Sequence, residues 1–152
     1  MAIEGLTWHD VASRLSPALN YWLGTTGSGG APHATPVWGA VVNDDLYLYS
    51  ERSTLKARNL RNDPRAVIHL ESGDDVVIVH GHLDDVGHPM DCGQVVDALA
   101  QKYNSSEQRG FLPSADPDFD VLYLFRPRRA LMWLLSDYEG SHQRWRSTGI
   151  VR

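Results

Sequence analysis

Five basic side chains, Arg52, Lys56, Arg58, Arg61 and Arg65, stand against the single acid Asp63 in one short stretch of this 152-residue chain. The stretch carries +4 in a protein of formal charge −5, so the remainder carries −9. Residues 53–62 read as a helix, with Ser53 and Thr54 as capping hydroxyls and Asp63 and Pro64 as the stop. A helix start offers unpaired amides and the positive end of a dipole, which together suit an anion. With Ser53 as the cap, Lys56 falls at the third helical position, where a cation is mildly disfavoured. A phosphate held by Ser50, Arg52, Lys56 and Asn59 would turn that cost into attraction, Asn59 lying three residues on and nearly on the same face. Lys56 reaching into water at a cost of about 0.3–1 kcal/mol explains the same residues. The residues alone leave both readings open.

Other chemistry-bearing residues are less distinctive. His80 and His82 share one face of a strand, the spacing at which two imidazoles could meet a metal or a haem edge. No cysteine or carboxylate of that strand completes a ligand set, and Asp84 on the same face reads equally as a solvated neighbour, so no metal is expected. No nucleophile elbow, Cys-x-x-Cys, phosphate-loop lysine or Gly-x-Gly-x-x-Gly is present, and Cys92, the lone cysteine, reads as a small apolar residue. Catalytic residues are therefore not identified. Trp38, Trp145, Tyr47 and Tyr49 could stack on a flat ring, or fill a core as strand aromatics commonly do.

The elements that must position these residues are mainly strands. A short helix is expected over 7–15, then a strand over 21–26, a glycine-rich turn, a long strand over 33–42, a turn at Asn43 to Asp45 and a buried strand over 46–50. Pro36 cannot donate to a ladder, which puts residues 35–37 at an edge or a bulge with backbone groups free. After the basic helix come strands over 65–71 and 76–86, a helix over 89–103, a loop over 104–118, and a hairpin of 121–126 with 130–135 turning at Pro127 and Arg128. The expected fold is mostly β (α+β), an antiparallel barrel of six or seven strands with short helices at its rim, in a single domain over 1–152. With 42% hydrophobic and 22% charged residues the chain is an ordinary globular one. The basic island suits a small anion better than nucleic acid. No apolar run approaches the roughly 20 residues of a membrane helix. No basic start followed by an apolar core opens the chain, so a cytoplasmic location is expected.

The order of these motifs resembles the pyridoxamine 5′-phosphate oxidase-like split β-barrel proteins, and within them the flavin- and deazaflavin-dependent oxidoreductases. The resemblance rests on the strand at Tyr21 to Thr26, on Thr35, Pro36, Val37 and Trp38, and on Ser53, Thr54, Leu55, Lys56, Ala57, Arg58, Asn59 and Leu60 followed by Asp63 and Pro64. It covers residues 17–87, and the tail Arg144, Trp145 and Arg146 matches an Arg-Trp ending. Ser141, His142 and Gln143 precede that tail where a threonine is usual.

The resemblance implies a homodimer with two cofactor sites at its interface, binding FMN or the deazaflavin coenzyme F-420. It implies phosphate contacts from Ser50, Arg52, Lys56 and Asn59, ring contacts from Thr35, Pro36, Val37 and Trp38, and a contribution from Arg144 and Trp145 across the dimer. The activity implied is hydride transfer to a small conjugated or aromatic substrate. A non-catalytic carrier or sensor of flavin, deazaflavin or haem is the alternative from another class. Pyridoxamine phosphate oxidation is less favoured, because it needs a second phosphate site and Arg126, Arg128 and Arg129 read as part of a hairpin turn.

Overall fold

The computed structural model describes residues 5–148, so both ends of the expected 1–152 domain lie outside the described residues. Helix α1, Trp8–Leu15, is opened by a reciprocal capping box of Thr7 and Asp10. Strand β1, Tyr21–Thr26, buries Tyr21, Leu23 and Thr25 and turns Trp22, Gly24 and Thr26 outward, the two-residue period of a half-buried strand. It pairs with β2, Pro32–Val37, across a connection in which Gly29 and Gly30 hold φ of 74° and 84°, values that favour glycine. Strands β3, Gly39–Val42, and β4, Asp45–Ser50, form a second hairpin. Asn43 and Asp44, at φ 52° and 65°, make its two-residue turn, and these residue types tolerate positive φ best after glycine.

Helix α2, Leu55–Asn62, leads into β5, Arg65–His69, and β6, Asp75–Asp85. Helices α3, Gly93–Lys102, and α4, Ser106–Arg109, precede β7, Val121–Leu134. A short α5, Tyr138–Ser141, leads to β8, Gln143–Arg146. The strands form one antiparallel sheet in the order β2-β1-β5-β6-β7-β4-β3, with β8 added to β7. The sheet curls into the split barrel. Leu23, Leu46, Leu48, Ile68, Val79 and Phe125 fill the inside, and a second core packs α3 against β3 and β4 through Ala40, Tyr49, Leu99 and Tyr103.

Eight strands stand where six or seven were expected, for three local reasons. The strand expected over 33–42 breaks at Trp38, where the chain leaves β1 and the Trp38 carbonyl accepts instead from the Tyr49 amide at 3.3 Å. The expected hairpin around Pro127 and Arg128 is one continuous strand. β7 pairs with β6 from Tyr123 to Leu134, and the register slips at His80/Gly81 so that Arg128 has no opposite number. This bulge also absorbs Pro127, which has no donor to offer a regular ladder. The tail adds β8. The helix expected over 89–103 is interrupted at Cys92, whose φ/ψ of −111°/88° separates a single turn at Pro89–Asp91 from α3.

Candidate functional site

The basic helix begins one residue later than Ser53 would set it. Thr54 is the cap, its hydroxyl accepting from the Ala57 amide at 3.4 Å and donating to the Glu51 carbonyl at 2.8 Å. Lys56 is therefore the second helical residue rather than the third. The amides of Leu55 and Lys56 have no acceptor among the described residues, as expected for the first turn of a helix. The Lys56 side chain is half-buried and makes no hydrogen bond or ion pair among the described residues. Burial holds its ammonium below the ordinary lysine value, with Glu51 pulling the other way. An unpaired, partly desolvated cation beside open amides is an arrangement that an anion relieves.

The other three residues expected at this anion site are less free. Ser50 closes β4 at 5% exposure. Asn59 is 3% exposed and donates to the Thr25 hydroxyl at 3.1 Å, which fastens α2 to β1. Arg52 is drawn away. Its guanidinium donates to both Asp85 oxygens, at 2.5 and 3.1 Å, and its amide donates to Asp120 at 2.8 Å. The structure thus gathers all four residues on the β4–α2 segment, with Lys56 as the cation left without a partner among the described residues.

Strand β2 is an edge, as Pro36 requires. Pro32 and Pro36 face Thr26 and Trp22, and the Gly27 amide bonds the Ala31 carbonyl at 2.7 Å. The bonded positions are therefore Ala31, His33, Thr35 and Val37, and the prolines occupy the alternate ones, where no donor is needed. The Ala34 amide and carbonyl and the Pro36 carbonyl consequently face the open edge. Thr35 turns its backbone to β1, Pro36 is exposed on the edge strand, and Val37 is buried in the core.

Trp38 is engaged within the chain. Its indole lies on Tyr103 with centroids 4.2 Å apart and planes within 2°, and its Nε1 donates to Asn20 at 3.0 Å. Tyr47 and Tyr49 likewise join the second core. Sequence reading missed the clamp beneath this corner. The Gly39 amide donates to the Tyr103 hydroxyl at 3.2 Å, the Gly39 carbonyl accepts from Lys102 Nζ at 2.8 Å, and Lys102 also donates to the Tyr21 hydroxyl at 2.7 Å. The ammonium sits over the rings of Tyr21 and Tyr103, 4.6 and 5.2 Å from their centroids. Burial pushes Lys102 down to about 7. The end of α3 thus holds the turn that follows the expected ring-contact strand.

Arg144 and Trp145 lie elsewhere within the chain. Trp145 packs on Trp8 at 5.1 Å and pairs with Ala130, whereas Ser50 pairs with Val121 nine residues earlier on β7. At about 3.3 Å per residue the two points are roughly 25–30 Å apart along that strand. Arg144 is exposed on β8. His80 and His82 do share a face with Asp84, the His82 Nε2 to Asp84 distance being 3.4 Å, and Asp84 also accepts from Arg126 at 2.9 Å.

A cleft of about 910 Å³ opens on the outer face of β1, β5, β6 and β7. Arg65, Arg128, Arg129, Arg146, His33 and His80 line it, and among the described residues no carboxylate does. Arg128 and Arg129 are therefore not in a turn. The objection that their position left no second basic site is overturned. Burial and the neighbouring Arg129 push the His80 imidazole down, as a positive cleft must. Among the described residues no helix is long and apolar enough to cross a membrane.

Comparison with known proteins agrees with this architecture. A conserved hypothetical protein, Rv2991 of Mycobacterium tuberculosis, superposes with a TM-score of 0.71 at 24% identity, covering 100% of this chain and 96% of that one. A structure described as an F420 reductase gives 0.62 at 23% identity, covering 85% and 98%. A heme binding protein from Mycobacterium smegmatis gives 0.67 at 16% identity, covering 95% of this chain and 60% of that one. Identities this low carry the fold alone. No curated protein matches the sequence. The family model described as pyridoxamine 5′-phosphate oxidase matches residues 11–133, spanning β1 to β7 with the edge strand and the α2 turn between them, and the chain belongs to that family.

Proposed function

We propose that this protein is an oxidoreductase that holds FMN or coenzyme F-420 by its phosphate at the first turn of α2. The ring lies along the open edge of β2, and the substrate is a small conjugated or aromatic molecule. The observation that carries the reading is Lys56, an unpaired, half-buried ammonium beside free amides, on a helix fastened through Asn59 to the strand that pairs with β2. When bound and reduced, such a cofactor supplies a hydride to the acceptor, which gains two electrons and takes its second hydrogen as a proton from solvent. The chain's own part is to bind and to orient. Lys56 and the Leu55 and Lys56 amides would neutralise the phosphate, the Ala34 and Pro36 backbone groups would meet the ring's polar rim, and Lys102 with Tyr103 would keep that strand's corner fixed. The β8 tail, remote from α2 within one chain, suits a role across a homodimer, where Arg144 and Trp145 of one protomer would reach its partner's site.

A parallel fluorescence titration with FMN and F-420, with the solution mass measured alongside, tests this reading. Micromolar or tighter binding of one cofactor by a dimer is expected, and binding of neither would refute it. A second reading, a haem or cofactor carrier, draws on His33 and His80 lining one cleft. It predicts a haemin Soret shift that His80→Ala abolishes, or a retained flavin that no reductant and acceptor can cycle.

A further inference from the structure

The bulge in β7 has a directional effect on its arginines. In a regular strand, successive side chains point to opposite faces, so one of Arg128 and Arg129 would enter the barrel. The extra residue opposite His80/Gly81 breaks that alternation, and both arginines line the outer cleft. Arg146 joins them because it pairs with Arg129 across β7 and β8. Among the described residues none of these three guanidiniums has an ion-pair partner, whereas Arg65 is held by Asp63 at 2.7 Å. Gly24 on β1 keeps the floor low, since a Cβ there would meet Val67 at 2.5 Å. Among the described residues these three guanidiniums face one another with no carboxylate lining the cleft, and in an acidic protein they form a focused field for anions.

From this we infer that the cleft is a second anion site, distinct from the α2 turn, and that it takes a small organic molecule bearing two or more negative groups. A volume of about 910 Å³ is in the range of drug-sized ligand pockets and far exceeds a bare phosphate. Planar guanidiniums match carboxylates and phosphates in a bidentate fashion. The cleft also borders the proposed ring site: its β2 wall, Pro32 to Ala34, continues directly into Thr35. Resting on the oxidoreductase reading, the occupant is the hydride acceptor, an anionic conjugated or aromatic compound anchored here with its body toward the β2 edge.

Isophthalate and benzoate are probes of matched shape that differ by one carboxylate. Isothermal titration of the cofactor-free protein should show isophthalate binding at least tenfold tighter than benzoate. Arg129→Ala and Arg128→Ala should each weaken isophthalate about tenfold, while Arg109→Ala, on exposed α4, should not. Lys56→Ala should leave isophthalate binding unchanged, and Arg129→Ala should leave FMN and F-420 binding unchanged. Equal affinity for the two probes, or no binding of either, would overturn the site. Loss of cofactor affinity in Arg129→Ala matching that in Lys56→Ala would overturn it as an acceptor site and give the cleft to the cofactor. Arginine-dependent isophthalate binding with no cofactor binding in the wild type would sustain the anion site and discard the oxidoreductase reading.

Discussion

Replacing Lys56 by methionine keeps most of its apolar stem and removes the ammonium, and two effects of opposite sign follow. In the cofactor-free protein the ammonium sits at the second position of α2, against the positive end of the dipole, half-buried and unpaired. Its removal should leave folding stability unchanged or raise it by about 0.3–1 kcal/mol, the range of a helix-end charge effect. In the complex the same ammonium would make a charge-assisted hydrogen bond to phosphate, worth about 1.5–3 kcal/mol, so affinity should fall roughly 10- to 150-fold. Binding should also weaken as pH rises through the lysine's lowered value, because only the protonated form attracts the phosphate. Urea unfolding of the free protein and fluorescence titration with FMN and F-420 measure the two terms separately. A stable variant with unchanged affinity would remove Lys56 from the site, and a variant destabilised by more than about 1 kcal/mol would make it a structural residue instead.

Arg52→Ala should cost less than about 1 kcal/mol in cofactor affinity by the same titration, because its guanidinium is already committed to Asp85; a larger loss than for Lys56 would place Arg52 on the phosphate. Lys102 titrates at about 7 in the fold and near 10.4 when unfolded, so the unfolded chain binds the extra proton between those values. Stability should therefore rise with pH from about 7 to about 10, by roughly 1–3 kcal/mol after allowance for partial exposure, and urea melts of Lys102→Met should show that rise flattened. Gly81→Ala should destabilise by about 1–3 kcal/mol or more in thermal melts, since its Cβ would collide with the Arg126 carbonyl and come within 3.0 Å of the Phe125 ring.

Local chemistry made much of this structure legible before any coordinates. Pro36 reported an edge because a missing donor has the same consequence in any sheet, and Asn43 to Asp45 reported a turn because few residue types accept positive φ. Ser53 and Thr54 are both capping hydroxyls, and nothing local distinguishes them; the Glu51 carbonyl settles it by taking the Thr54 hydroxyl. The errors share a cause. Pro127, Arg128 and Arg129 have turn-like composition, yet pairing with β6 on both sides of the bulge holds the strand straight through them. The pairing of Arg52 with Asp85, 33 residues away, is equally invisible in the local sequence. The cleft has no local signal at all, since its arginines come from β5, β7 and β8 and acquire meaning only when those strands are adjacent.

The place of β7 in the sheet constrains the order in which this protein can assemble. β2, β1, β5 and β6 form one contiguous ribbon and β4 with β3 another, and β7 is the strand through which the sheet joins them. During synthesis the chain therefore emerges as two hydrophobic ribbons, each with an unsatisfied inner edge, until residues 121–134 arrive to pair with both. Such long-range closure is slow and leaves strand edges exposed to aggregation until it is complete. Ser50 lies on the second ribbon and Thr25, which holds α2 through Asn59, on the first, so the α2 turn spans both ribbons. A small molecule that binds there can trap the finished barrel but cannot guide its beginning.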